Sequence, residues 1–341
     1  MSNPRIGVIF GGRGSEREVS LASGRNVYNT LDRSLFDVIA IFWDQSFRFW
    51  EIPEILVIRN TCKEIEDRLA TQGKRIAYEQ LSKHIDLAFL ITHGKYGDDG
   101  CLQGLLELLK IPYTGSGILG AALGLDKIAQ RILLSRVEGV RTPPYLIAES
   151  ADNAADVSER ITEQFGFPCI VKPSREGSTI GITKVTQSDE LRAALEAARA
   201  YDLRVMIEPY LEGREFSCMV VGNDEPRALL PTETKYEGEI FTYDHKYLPG
   251  ASQKITPMEV LGETIAEIQR QCVATYQALE MRDYARIDGF VLKDSTVVVT
   301  DPNSAASTGL SPSSWSFHQA AKDGMLPRAF LTHLIELTSS H

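Results

Sequence analysis

The sequence predicts an α/β protein with α+β character towards its C-terminus, built as three modules in series: a Rossmann-like parallel-sheet domain over 1–116, a second module over 117–210 and a third over 211–341. Three observations carry this. Strand and helix patterns alternate through the first third, which is the signature of parallel strands joined by crossover helices. Glycine-punctuated loops follow the strands there, where ligands of such sheets bind. The last third contains a strand–turn–strand segment, 286–303, with polar residues repeating at i and i+2.

In order, Ile6–Phe10 reads as a strand that leads into the loop GGRGS and an amphipathic helix from Arg17 to Leu31. FDVIAIFW, a helical KEIEDRLATQ, the buried strand IDLAFLIT and the helix LQGLLELLK complete the first module. The second opens with one long helix, ILGAALGLDKIAQRILLSRVEG, then PPYLIAES, FPCIVKP, the loop SREGST, the strand IGITKV, the helix DELRAALEAARAYD and the strand RVMIEPYL. The third runs through EFSCMVVGN and RALLPTETK to a helix from Pro257 to Glu280, the 286–303 segment and a closing helix PRAFLTHLIEL.

The 341 residues suffice for two or three cores. A composition 43% hydrophobic and 24% charged is that of an ordinary globular chain. Net charge −10 and a pI of about 5.2 exclude nucleic-acid binding through bulk positive potential. The five cysteines lack metal-type spacing and fit small core residues in a reducing compartment. MSNPRIGVIFGG has no signal-peptide layout and no apolar run is long enough to span a membrane, so the expected location is cytoplasmic.

A two-residue turn at Asp294–Ser295 would set Asp288 opposite Asp301 and Arg286 opposite Asn303, all on one sheet face. Opposed carboxylates about 5 Å apart repel. A magnesium ion, which takes one or two carboxylates and completes its shell with water and phosphates, removes that repulsion. The segment therefore reads as a Mg²⁺-nucleotide site flanked by Arg286, or else as a solvent-facing ladder without metal.

Other constellations carry two readings each. GGRGSER suits a phosphate loop at a helix start or a tight turn, and it lacks the last glycine of a dinucleotide fingerprint. Glu16 and Ser20 share one face of the helix that follows. REGSTIG suits a flap over phosphates, with Ser178 and Thr179 as donors, or an ordinary hairpin loop. Lys127 and Lys172 end apolar stretches, where lysines commonly snorkel outward. YDHKYLPG is a polar surface loop or a ligand-contacting one. His93 and Asp98 flank a GKYG turn, as an acid–base pair or as a structural hydrogen bond.

The segments FGGRGSEREVSLASG, HGKYGDDGCLQGLLELLKIPYTGSG, ALGLDK, IVKPSREGSTIGITKV, IEPYLEGREF, YDHKYLPG and ARIDG occur in an order and spacing that resemble the D-alanine–D-alanine ligase family of the ATP-grasp superfamily. The resemblance spans nearly the whole chain. It implies that the second and third modules clamp ATP between two sheets. Lys127 and Lys172 match lysines on the ATP phosphates; Glu208, Pro209, Tyr210 and Leu211 match the adenine-lining segment, and Glu215 the ribose-binding acid. Glu16, Ser178 and Tyr247 match a hydrogen-bonded trio beside the amino-acid substrates, and Lys246 a lysine near the phosphates and second substrate. Substrate contacts are also expected at His93, Ser307 and Ser311. Arg286 matches the arginine that stabilises the developing oxyanion, and Asp288, Asp301 and Asn303 match ligands of Mg²⁺ or Mn²⁺. The implied chemistry is phosphorylation of an amino-acid carboxylate by ATP and attack of an amine on the acyl phosphate, which needs positioning and charge neutralisation rather than an enzyme nucleophile. The resemblance further implies amino-acid-like substrates and a homodimer.

Two departures stand out. Asp301 replaces the family's usual glutamate and falls short of its reach by about 1.5 Å. The loop SAASTGLSPSS replaces the usual acceptor loop, placing Ser307 where a glycine N–H serves the oxyanion and Pro312, which has no N–H, where a serine binds the acceptor carboxylate. Ser311, Ser313 and Ser314 are the available substitutes. The departures point to a carboxylate–amine ligase with a non-standard acceptor, ahead of D-alanyl-D-alanine synthesis for peptidoglycan or a non-catalytic ATP-binding paralogue.

Overall fold

A computed structural model describes residues 3–177, 179–236, 238 and 252–338. The proposed trio members Ser178 and Tyr247, together with Lys246, lie outside the described residues. The first sheet contains β1 (Arg5–Gly11), β2 (Asp37–Trp43), β3 (Phe49–Glu51), β4 (Lys74–Ile76) and β5 (Leu87–Leu90), in the order β4-β3-β2-β1-β5. β1 pairs in parallel with both β2 and β5. β3 and β4 add an antiparallel edge that the sequence reading did not include. Alternation along β1 sets its two faces: Ile6, Val8 and Phe10 enter one core, and Ile9 enters another with Ile41 and Leu90. The first of these cores also takes in Phe330, Leu331 and Leu334 of the C-terminal helix Pro327–Thr338, so the two ends of the chain share it.

The second sheet, β6 (Leu146–Ala148), β7 (Cys169–Pro173), β8 (Thr183–Val185) and β9 (Val205–Pro209), is antiparallel in the order β6-β9-β7-β8. Cys169, Val171, Val205 and Ile207 point into a core with the helices Ala154–Gln164 and Leu191–Arg199. Period two then sends Ile170, Lys172 and Glu208 to the opposite face. There Ile170 sits across from Glu208, and Lys172 is its diagonal neighbour.

The third sheet holds β10 (Gly213–Val221), β11 (Arg227–Ala228), β12 (Thr232–Tyr236), β13 (Ser252–Ile255), β14 (Tyr284–Leu292) and β15 (Val297–Asn303), all antiparallel. Phe216, Cys218, Val220, Ala285, Ile287 and Val291 pack against the helix Gly262–Ala278. The other face therefore carries Glu215, Ser217, Arg286, Asp288 and Phe290, with Ser217 directly opposite Asp288 and Glu215 opposite Phe290.

Three sequence expectations need correction. The long helix predicted from Ile118 onwards is two helices, Ile118–Leu125 and Lys127–Leu134, broken at Asp126. The Asp126 carboxylate accepts the N–H groups of Ile128 and Ala129, an N-cap that starts a new helix in place of continuing the old one. KEIEDRLATQ likewise divides into two one-turn helices, Cys62–Glu66 and Leu69–Gln72. The helix expected from Pro257 begins at Gly262.

Candidate functional site

The β14–β15 pair brings the polar residues together by a different route from the one the sequence suggested. Near the turn, Gly289 pairs with Val299 and Val291 with Val297, one residue out of the predicted register. Leu292 and Thr296 close a three-residue turn, with Ser295 at φ 67°, so the two-residue turn is not formed. A bulge then inserts Thr300 and restores the predicted pairs: Asp288 opposite Asp301 and Arg286 opposite Asn303. Gly289 is the residue that permits this, because a Cβ there would lie 2.3 Å from the Val298 carbonyl oxygen. The bulged Thr300 presents its carbonyl to Arg131.

Arg286 forms a close pair with Asp288, Nη2 to Oδ2 at 2.9 Å and Nε to Oδ1 at 2.9 Å. Ser217 donates to the same carboxylate at 2.7 Å, and the Asn303 amide donates to it at 3.1 Å. Asp301 faces Lys127 at 3.7 Å. Two carboxylates and an amide on one sheet face are the hard oxygen donors a magnesium ion uses when phosphates and water supply the rest of its shell, so the donor set fits the expected metal.

The break at Asp126 explains how Lys127 reaches this place. It is the first residue of its helix, and its ammonium donates to the Glu176 carbonyl at 2.6 Å from beneath the REGST loop. Lys127 and Lys172 are both buried rather than snorkelling. Lys172 pairs with Glu208 at 2.5 Å, and Arg131, fully buried one helical turn beyond Lys127, reaches Glu208 at 3.1 Å. Burial works against the Glu208 charge, but Lys172 and Arg131 outweigh it and hold the carboxyl below its usual range. Burial pushes the Lys172 ammonium down, and Arg131 adds to that.

One continuous cleft between the second and third sheets is lined by Lys127, Lys172, Glu208, Tyr210, Leu211, Glu215, Arg286, Asp288 and Asp301. Within this cleft the Glu208 carboxylate is engaged by Lys172 and Arg131. Pro209 has no N–H, and the Tyr210 N–H is taken by the Pro168 carbonyl at 3.0 Å. Lys184 stacks over the Tyr210 ring at 3.9 Å. Glu215 accepts a hydrogen bond from Tyr236, whose hydroxyl is raised by burial and by that carboxylate.

A second cavity continues past Arg286 and Asp301. It is bounded by Glu16, His93, Asn303, Ser307, Ser311, Ser314, Lys254 and Trp315. Glu16 is buried between two glycines: a Cβ at Gly177 would stand 2.3 Å from its Oε2, and one at Gly94 3.0 Å. The first-module helix start and the REGST loop thus close on one carboxylate. Ser15 adds a bond to Glu176 at 3.2 Å. Glu16 and Glu18 at the helix start argue against the phosphate-loop reading of GGRGSER. Ser20 does not point into the cavity with Glu16; its hydroxyl ties the Gly11 N–H to the Ile91 carbonyl at the ends of β1 and β5.

His93 and Asp98 do not pair. The Asp98 carboxylate accepts the hydroxyls of Ser304 and Ser307, joining the HGKYGDDG loop to the rebuilt loop after Asn303. Burial raises Asp98 to about 7 against those two bonds. Burial also lowers His93 to about 4, and its Nε2 has no hydrogen-bond partner among the described residues. A buried neutral imidazole of this kind is a hydrogen-bonding group rather than a base held by a carboxylate.

Sequence reasoning missed Arg131, Glu176, Lys254, Trp315 and Tyr236. For Arg131 a signal was present, since it lies i+4 from Lys127. Lys254 and Trp315 had no pattern to mark them.

Comparisons with known proteins give the family of the chain. Residues 5–116 match the family described as D-ala D-ala ligase N-terminus, and residues 134–336 match D-ala D-ala ligase C-terminus. The chain is 36% identical to D-alanine--D-alanine ligase A of Chromobacterium violaceum, over 99% of this chain and 95% of that one. It is 34% identical to a D-alanine--D-alanine ligase of Geobacillus thermodenitrificans, over 88% and 86%. Among solved structures it resembles the D-alanine-D-alanine ligase from Coxiella burnetii, with TM-score 0.85, 26% identity and coverage of 100% and 95%. It also resembles the VanG D-Ala:D-Ser ligase from Enterococcus faecalis, with TM-score 0.86, 29% identity and coverage of 99% and 100%. The chain therefore belongs to the D-alanine–D-alanine ligase family of ATP-grasp enzymes and is an ATP-dependent ligase that forms a C–N bond.

Proposed function

We propose that this enzyme activates an amino acid as an acyl phosphate and transfers it to an acceptor other than D-alanine. The observation that carries the reading is the acceptor end of the cavity. Pro312 stands where the acceptor serine is expected, and the Ser307 side chain is drawn onto Asp98. The donor end retains its expected residues. In this reading Lys127 and Lys172 hold the ATP phosphates, with Tyr210, Leu211 and Glu215 lining the nucleoside. Asp288, Asp301 and Asn303 hold magnesium or manganese, which supplies charge neutralisation on the phosphates when bound. Glu16 holds the donor's amino group, and Arg286 faces the oxygen that gains charge as the amine adds. The REGST loop excludes water from the acyl phosphate. The divisions at 116 and 210, the homodimer and the cytoplasmic location belong to the same reading; among the described residues no helix is long and apolar enough to cross a membrane. Ligation to an acceptor other than D-alanine has a fold-level counterpart in the D-Ala:D-Ser ligase above.

The test is ADP release by the purified protein with ATP and Mg²⁺ against single and paired amino and hydroxy acids. Release that requires D-alanine plus a different acceptor supports the reading. Release with D-alanine alone at full rate returns the enzyme to D-alanyl-D-alanine synthesis.

A further inference from the structure

β15 is the outer strand of the third sheet, with β14 on one side and, among the described residues, no strand on the other. Backbone groups on the open side of such a strand need partners from elsewhere in the fold. Here two of them come from the helix Lys127–Leu134. The Gln130 amide donates to the Pro302 carbonyl at 3.0 Å, and the Arg131 guanidinium donates to the Thr300 carbonyl. These carbonyls stand on either side of Asp301, so adjacent residues of one helix grip the strand before and after that carboxylate. Gln130 also donates to the Gly124 carbonyl at 2.8 Å, which ties the grip to the preceding helix.

The Arg131 nitrogen that meets Thr300, Nη2, also reaches Glu208 at 3.1 Å, and Glu208 holds Lys172. Lys127 lies one turn earlier on the same helix and faces Asp301 at 3.7 Å. One helix therefore sets three charged groups from three elements against one another: Lys127 directly, Asp301 through two carbonyls and Lys172 through Glu208. Neither Gln130 nor Arg131 is among the residues that line the two cavities, so both act through others.

Stability alone is a poor account of this arrangement. Gln130 and Arg131 are fully buried, yet Arg131 Nε and Nη1 and Gln130 Oε1 have no hydrogen-bond partner among the described residues. Buried polar atoms left unsatisfied cost free energy, and well-packed apolar residues often replace buried ion pairs without loss. An apolar side chain could not, however, fix the β15 carbonyls relative to the two lysines. Charges around a phosphoryl group are effective when their geometry is held in advance.

We propose that Gln130 and Arg131 are positioning residues for phosphoryl transfer, holding Asp301 in register with Lys127 and Lys172 so that metal and phosphates are met together. This rests on the roles proposed above for those three residues and deepens them: nucleotide and metal bind cooperatively, and the cooperation passes through the grip on β15.

The experiment measures ADP affinity by calorimetry, with excess Mg²⁺ and with EDTA, for the intact enzyme, Arg131→Lys and Gln130→Met. Lysine keeps the charge beside Glu208 but ends one atom sooner, short of the point where Nη2 meets both oxygens. Methionine fills the place of Gln130 without a donor. Affinity in EDTA should stay close to wild type in both variants, because Lys127 and Lys172 remain. The tightening by Mg²⁺ should fall by about tenfold or more in Arg131→Lys and by about threefold in Gln130→Met. With substrates that support ADP release, kcat should fall in the same order while the KM for the amino acid stays near wild type. A purely structural pair lowers the urea midpoint and leaves the Mg²⁺ tightening alone. Wild-type tightening in both folded variants therefore overturns the inference, whatever their midpoints. Should Arg131→Lys fail to fold, Gln130→Met, which alters no charge, decides by the same ratio. Lys172→Met checks the reading beneath. Unchanged ADP affinity there, or no tightening by Mg²⁺ in the wild type, overturns the phosphate and metal assignments and the inference with them. Weakened affinity there, with unaltered tightening in Arg131→Lys and Gln130→Met, overturns the inference alone.

Discussion

The proposed nucleotide end and the proposed acceptor end of the cleft share Arg286 and Asp301 but are built differently. At the nucleotide end, charged groups are locked to one another: Lys172 to Glu208, Arg131 to Glu208 and to the Thr300 carbonyl, Lys127 to the Glu176 carbonyl, Arg286 to Asp288. At the acceptor end His93 Nε2 and the Ser314 hydroxyl have no hydrogen-bond partner among the described residues, and the loop that carries the serines is held by Asp98 through two hydroxyls and by Asn26, Ser23 and Lys254 through its backbone. The difference teaches where change is tolerated. In the proposed reading, phosphate binding depends on buried ion pairs whose members cannot be replaced singly, whereas the loop after Asn303 is tied by single hydrogen bonds to Asp98, Ser23, Asn26 and Lys254 and can be rebuilt without disturbing them.

The sharpest break in that contrast is Arg286→Ala. If Arg286 stabilises charge that develops only during reaction, kcat should fall roughly 100- to 1,000-fold with saturating substrates. Arg286→Lys should recover little, since a point charge does not reproduce the two-nitrogen grip on Asp288. Unaltered ADP release in the alanine variant would remove Arg286 from the chemistry and leave it as a partner of Asp288.

The nucleotide end is tested by Lys172→Met. Removing one member of a buried pair costs about 3–5 kcal/mol, and Arg131 remains to hold Glu208, so a loss near about 3 kcal/mol is expected. Urea unfolding should show a lower midpoint at constant slope, and the KM for ATP should rise. A stability loss under about 1 kcal/mol is what an exposed pair gives, and would show that the two ends do not differ as described.

Two groups of the HGKYGDDG loop give opposite pH signatures at the other end. His93, with Glu16 and Arg286 facing it, titrates near 4 in the fold against 6.5 when free. Below pH 6.5 the unfolded chain binds the extra proton, so stability is lost as pH falls from 6.5 towards 4, on the order of 3 kcal/mol in all. Asp98, with Glu16 and Asp99 as neighbouring charges, titrates near 7 against 3.8. Here the fold binds the extra proton, so stability is present below 3.8 and is lost as pH rises through 7. Relative to wild type, His93→Gln should gain stability as pH drops through its window, and Asp98→Asn should gain as pH rises through its own. Denaturant midpoints at pH 4, 5.5 and 7 measure both, and parallel slopes for the two variants would refute the assignment.

Much of this was legible in the sequence because periodicity reports faces. The alternation that sends Lys172 and Glu208 to one side of the second sheet, and Arg286 and Asp288 to one side of the third, follows from period two alone. Register was harder. The pairing of Asp288 with Asp301 was predicted through a two-residue turn, and it arises from a three-residue turn plus a bulge at Thr300 whose offsets cancel. A bulge leaves no mark in hydrophobic alternation beyond Gly289, which is why the reason was wrong where the pairs were right. The helix break at Asp126 was readable in retrospect as an N-cap aspartate, but the apolar run on both sides concealed it. Lys254 and Trp315 were invisible because they approach from β13 and from a helix start about sixty residues apart, and only the tertiary fold makes them neighbours.

The smallest expected effect concerns the residue that belongs to both ends. Asp301 replaces the longer acid of the family, and its carboxylate lies 3.7 Å from Lys127 while facing Asp288 across the hairpin. In Asp301→Glu the added methylene carries the carboxylate about 1.5 Å further into the cleft. If reach towards a phosphate-bound magnesium limits this enzyme, a gain of about 1 kcal/mol in the transition state should raise turnover about fivefold and lower the magnesium needed for half-maximal rate. If turnover falls instead, the short acid is matched to Lys127, and the shortened reach is part of how the nucleotide end was kept while the acceptor end changed. A change confined to the acceptor KM, with magnesium dependence unaltered, would place Asp301 on the acceptor side of the divide and move the boundary between the two regions to Asp288.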